Sequence, residues 1–150
     1  MYKRQVAERG WRAGIDCVFE TVLPGWRAAS QSTASLIANA LVGVAGMLPV
    51  RHAVLTVTAS AEITSVTVSS TERGIDWAWT GTLAAGTSLV INDEAQTVLN
   101  AGADAYSGLV LGSGHTAAGW LDLEPGNQSV NVTVVGTASA VSLAWWDVFA

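Results

Sequence analysis

Cysteine, cationic charge and proline are all scarce in this chain, and each scarcity removes a class of function. A single cysteine, Cys17, excludes an internal disulfide and a thiolate zinc cage. It sits in Ile15-Asp-Cys-Val-Phe19, where apolar neighbours mark a small buried side chain rather than a nucleophile. All seven basic residues (Lys3, Arg4, Arg9, Arg12, Arg27, Arg51 and Arg73) fall in the first half. From Gly74 onward there are seven carboxylates (Asp76, Asp93, Glu94, Asp104, Asp122, Glu124 and Asp147) and no cation. Phosphate neutralisation needs clustered Lys or Arg, so that half is not expected to contact nucleic acid. Only 13% of residues are charged, half are hydrophobic, and mean hydropathy is +0.37. That is well under the usual quarter of charged residues, which excludes a disordered chain and suits burial against other subunits. Residues 34–50 carry no charge, but Asn39, Gly43, Gly46 and Pro49 interrupt them. The run is also shorter than the roughly 20 apolar residues a bilayer requires, so no membrane partner is expected. The N-terminus lacks the cationic-then-apolar layout of a signal peptide.

Short alternating segments separated by Gly and Pro take up the rest of the chain. Period-two alternation marks half-buried strands. Strands are expected at 34–42, 53–59, 63–69, 75–80, 88–92, 96–99, 109–111, 119–123, 129–135 and 140–148. An earlier strand over Asp16–Leu23 ends at Pro24-Gly25, and residues 26–32 read as a linker. Trp120-Leu-Asp-Leu-Glu-Pro-Gly126 followed by Ser129-Val-Asn-Val-Thr-Val134 reads as two strands reversing at Pro-Gly. Helix is confined to one turn near 102–107. The expected fold is therefore all-β, an antiparallel sandwich of jelly-roll type. Inward positions are Leu55, Val57, Val66, Val68, Trp77, Trp79, Leu89, Ile91, Leu121, Leu123, Val130, Val132, Val134, Val141, Leu143 and Trp145. Trp145-Trp146 puts an aromatic on both faces of the last strand, so Trp146, with Val148, is the candidate contact surface.

Chemistry-bearing residues are few. Asp93-Glu94 reads as a solvated hairpin tip, because nothing nearby completes a calcium ligand set. Asp122 and Glu124, two apart, share the outer face of one strand, whereas glycosidase carboxylates come from separate elements across a cleft. His115 lies in the loop Gly112-Ser-Gly-His-Thr116 with no Gly-x-Ser-x-Gly elbow, and the Gly112/Gly114 spacing has no βα unit behind it. The chain is expected to be no enzyme and to hold no cofactor or metal. Seven tryptophans are many for this length. Trp77, Trp79 and Trp120 fit core packing, with a sugar-stacking platform as the alternative.

Three motifs occur in a fixed order: Trp79-Thr-Gly-Thr-Leu-Ala-Ala-Gly-Thr-Ser-Leu-Val-Ile-Asn-Asp93, then Thr97-Val-Leu-Asn-Ala-Gly102, then Trp120-Leu-Asp-Leu-Glu-Pro-Gly-Asn127 before an aromatic terminal strand. This order resembles the C-terminal half of distal tail proteins and related minor tail proteins of long-tailed siphophages. The likeness covers residues 34–150, best over 79–149. Asn92 stands where that family often has Asp, and Ala101 is inserted in an Asn-Gly turn. The resemblance implies a galectin-like sandwich in a structural virion protein of a tail tip or baseplate. Such a protein links the tail tube to the host-recognition apparatus through a homo-oligomeric ring and other tail proteins, and is assembled in the host cytoplasm. The alternative is a carbohydrate-binding module gripping host-surface glycans. Residues 1–28 are then the remnant of a preceding tail-tube-like β domain, and 29–150 the sandwich. Met1-Tyr-Lys-Arg-Gln5 resembles translated sequencing adapter; without Lys3 and Arg4 the net charge would pass from −5 to −7.

Overall fold

A computed structural model describes residues 26–37 and 40–150. The strand expected at Asp16–Leu23, Cys17 and the residues read as adapter lie outside the described residues. Eleven strands occur among them: β1 (Trp26–Arg27), β2 (Ser32–Ser35), β3 (Ala40–Val44), β4 (Val54–Ser70), β5 (Ile75–Leu83), β6 (Ser88–Asn92), β7 (Thr97–Asn100), β8 (Ala103–Asp104), β9 (Leu109–Leu111), β10 (Gly126–Trp145) and β11 (Val148–Phe149). One 3-10 turn, Tyr106–Gly108, precedes β9. No helix of the described residues is long and apolar enough to cross a membrane.

All strand pairings are antiparallel, and the fold is an all-β sandwich as the alternation implied. Its frame is a ribbon of two long strands, β4 and β10, paired from Val54↔Ala144 to Ser69↔Asn131. The C-terminal half of β4 continues through β5 to β9, and the N-terminal half of β10 carries β3 on its outer side. The other halves continue from β4 through β6 and β7 to β8, with β2 on the outer side of β10. Each long strand thus serves both layers. Where it passes between them, the register shifts at Val135/Gly136, Gly136/Ala138 and Ala138/Ala140. Such bulges bend a ribbon and sharpen its twist. Gly136 has φ +132, and a Cβ there would lie 2.2 Å from the Glu62 carbonyl oxygen. Only glycine fits that bend.

The interior is one cluster fed by both layers. Trp77, Trp79, Val66 and Val68 come from one side, and Leu55, Val57, Leu89, Ile91 and Leu143 from the other. Fifteen of the sixteen expected inward residues are buried; Val134 is half-buried as the ribbon approaches its bend. The buried indoles also satisfy their N–H groups, Trp77 Nε1 donating to Trp120 O at 2.8 Å and Trp79 Nε1 to Ala105 O at 3.1 Å.

The boundaries differ from expectation in four places. Segments 53–59 and 63–69 are one strand, and 129–135 runs on into the segment expected at 140–148, because a bulge absorbs the break without ending the ladder; that strand stops at Trp145, and Val148 belongs to β11. The segment expected at 34–42 is two strands, β2 and β3, paired to opposite halves of β10. Residues 26–32 are not wholly linker, since Trp26–Arg27 pair with Phe149–Val148. Residues 119–123 form no strand: Trp120, Leu121, Asp122 and Leu123 are all buried in a row, tied by an isolated bridge from Leu123 to Val50. A half-buried strand cannot bury four successive side chains. Pro125-Gly126 is accordingly no hairpin turn but the entry to β10.

Candidate functional site

One pole of the sandwich collects the features with most interaction potential. Here β1 pairs with β11, and β11 is held from its other side by the N–H groups of Met47 (2.8 Å) and Leu48 (3.1 Å), both donating to Val148 O. Directly opposed residues of an antiparallel pair share a face, so Trp26 and Phe149 stand side by side. Trp26 is 74% exposed, Phe149 36% and nearby Met47 61%. Aromatic residues and methionine are enriched at protein interfaces.

Beneath them the segment from Trp145, the end of β10, to β11 is pinned by side-chain bonds. Asp147 is buried, and its carboxylate accepts bonds from Ser32 Oγ (2.8 Å), the Ala45 N–H (2.9 Å), the Gly46 N–H (3.3 Å) and Trp145 Nε1 (3.2 Å). Burial pushes its acidity down, but these donors outweigh burial and hold its pKa below the ordinary aspartate value. The Trp146 carbonyl accepts from His52 Nε2 at 2.9 Å, and the two rings lie 5.8 Å apart, tilted by 36°. Arg27 on β1 donates to Glu94 Oε1 at 2.6 Å. That bond, before the weaker charge attraction, lowers the Glu94 pKa.

The two sequence-named contact residues thus lie at this pole, each half-buried. Trp146 covers His52, and Val148 packs against the core. Trp26, Met47 and Phe149 expose more apolar surface and were missed. Trp26 sits in a stretch without apolar period, and Phe149 beyond the last alternating residue, so pattern reading had no purchase on either.

The acidic turn needs correction. Glu94 is exposed, but Asp93 is buried, its Oδ1 accepting the Trp120 N–H at 2.7 Å. Burial raises its pKa, the Trp120 and Leu121 N–H groups oppose that, and the Asp122 charge adds to the rise. Asp122 and Glu124 do not share an outer strand face either: Asp122 is buried, with Arg51 Nε 3.8 Å from Oδ1, and Glu124 pairs with Arg73 at 2.8 Å. The loop histidine is half-buried, its Nδ1 accepting the Asp76 N–H at 3.2 Å, and Asp76 in turn anchors the Gly114 N–H. Among the described residues no three His, Cys, Asp or Glu side chains are grouped to hold a metal ion. Trp77, Trp79 and Trp120 are buried, as core packing required, and only the exposed Tyr106 ring meets Trp120, at 5.7 Å.

No protein-family model matches the sequence, and no curated protein does. The fold is similar to that of a crystal structure titled as SPP1 Dit (gp 19.1) protein, "a paradigm of hub adsorption apparatus in Gram-positive infecting phages", with a TM-score of 0.64. Identity is 11%, and the match covers 81% of this chain and 47% of that one. At that identity the likeness is one of fold, and it spans about half the length of the phage protein.

Proposed function

We propose that this chain is a structural protein of a phage tail, placed at the tip or baseplate between the tail tube and the host-recognition apparatus. It works by surface complementarity and without catalysis. The observation that carries the reading is the shared sandwich: a chain whose motif order resembles distal tail proteins has a fold similar to a phage adsorption-hub protein. The pole adds a physical basis for assembly, since exposed Trp26, Met47 and Phe149 provide apolar contact area. Its partners are further copies in a ring and neighbouring tail proteins, and its location is the virion, after assembly in the host cytoplasm. A glycan-gripping role has less support, because the tryptophans that would build its platform lie in the core.

Native mass spectrometry on the 150-residue chain tests this. Ring-sized oligomers, weakened by Trp26→Ser and Phe149→Ser, are the expected result. A strictly monomeric chain at micromolar concentration would overturn the reading.

A further inference from the structure

The pole carries an unusual density of charged and titratable groups for so sparsely charged a chain. His52 is 6% exposed. The charges of Arg27 from β1 and of Asp93 and Glu94 from the turn between β6 and β7 act on it, and Arg51, next in sequence, pairs with Asp122. A carbonyl oxygen can only accept, so the bond to Trp146 O places the imidazole proton on Nε2. Nδ1 is then the nitrogen that would take a second proton.

We propose that this pole is a pH-sensitive seam, in which protonation of His52 detaches strand β1 from β11. A second proton would put a cation in a buried site that bonds the Trp146 carbonyl, one residue before the Asp147 carbonyl that holds the Ala28 N–H, and the Arg27 charge would oppose it. Glu94 and Asp93 offset that only in part, since Glu94 is engaged by Arg27 itself and Asp93 by the Trp120 N–H. Burial first and then Arg27 hold the histidine pKa below its ordinary value, against the opposing pull of the Trp146 carbonyl, Glu94 and Asp93. A charged His52 can be relieved by hydration or by removing Arg27. The cheapest group to move is β1, which among the described residues is held by a two-residue ladder, one ion pair and the Ala28 N–H to Asp147 O, and whose two residues are exposed. The core strands stay in place because none of their ladder bonds involves β1. The sign follows from the depressed pKa: the seam is closed above the free-histidine value of about 6.5 and loosens as pH falls toward the lower value in the closed state. This inference is independent of the tail reading.

Hydrogen–deuterium exchange on the full chain between pH 8 and 5, corrected for intrinsic exchange, decides it. Protection of amides in 26–28 and 148–149 should fall by up to about tenfold per pH unit within that window, while β4 amides at Leu55–Val57 stay flat. In His52→Gln, which keeps a donor for Trp146 O, the slope should vanish. A flat wild-type profile, an equal slope in the variant, or loss that includes β4 would each overturn the proposal. Should the variant not fold, titration of the wild-type imidazole by NMR replaces it, and a midpoint at or above the ordinary histidine value rejects the seam.

Discussion

Replacing Trp77 by alanine attacks the sandwich where both of its stabilising terms meet. Trp77 is fully buried, lies opposite Val68 on one side and Leu111 on the other, and donates to the Trp120 carbonyl at 2.8 Å. Truncation removes a large aromatic body from a close-packed interior, for which Trp→Ala changes cost about 3–5 kcal/mol. It also leaves a buried carbonyl on a non-repetitive segment without its donor, adding roughly 1 kcal/mol or more. Against a total of about 5–15 kcal/mol for an ordinary domain, Trp77→Ala should leave the protein marginal or unfolded at 25 °C. Trp77→Phe separates the terms. It keeps most of the ring volume and loses the bond, so it should cost about 1–3 kcal/mol. Urea denaturation followed by circular dichroism gives both values from the midpoint at constant slope. An unchanged midpoint in Trp77→Ala would refute the reasoning, and equal losses in both variants would show that packing contributes nothing beyond the bond.

Four further outcomes follow from the geometry. Gly136→Ala should lower the denaturation midpoint by more than 1 kcal/mol in equivalent stability, about the cost of forcing a side chain into so strained a backbone; a neutral result would mean that the bend is not tight. Ala101 has φ 49 in the two-residue turn between β7 and β8, so Ala101→Gly should stabilise by about 1 kcal/mol, measured by melting; a lower melting temperature would count against that turn. The depressed Asp147 pKa means that stability present above the ordinary aspartate value is lost as pH falls through the folded value; Asp147→Asn should therefore flatten the acid limb of the stability–pH curve, and an unchanged limb would contradict its four bonds. Asp93 has the opposite sign: its raised pKa favours the protonated form, so wild-type stability should fall relative to Asp93→Asn as pH rises toward 7, with the amide oxygen still accepting the Trp120 N–H, and a constant difference would reject the shift.

The sandwich was legible because its signal is local. Period-two alternation in Val54–Val57, Val66–Val68 and Val130–Val132 states directly which side chains face inward. Continuity of β4 and β10 was not legible, since Ala59-Ser-Ala-Glu62 looks like a break and only the partner strand shows that the ladder resumes. Residues 119–123 misled because one acidic letter between leucines imitates alternation, while in the fold Asp122 is as buried as its neighbours. Asp93 was missed for a related reason. Its principal partner is a backbone N–H contributed 27 residues later, and a main-chain donor leaves no mark in a side-chain sequence. The pole escaped because it is assembled from β1, residues 45–52, the β6–β7 turn and β11, four segments that no spacing rule connects.

The bent ribbon has a mechanical corollary. In a sandwich of two separate sheets, either layer can melt or slide while the other persists. Here β4 and β10 pass through the bend into both layers, so neither layer can be peeled away without breaking the ladder of the other. Load applied to one face is carried along covalent strands to the opposite face rather than across side-chain contacts alone. The two layers should therefore yield together, as one fracture and not two.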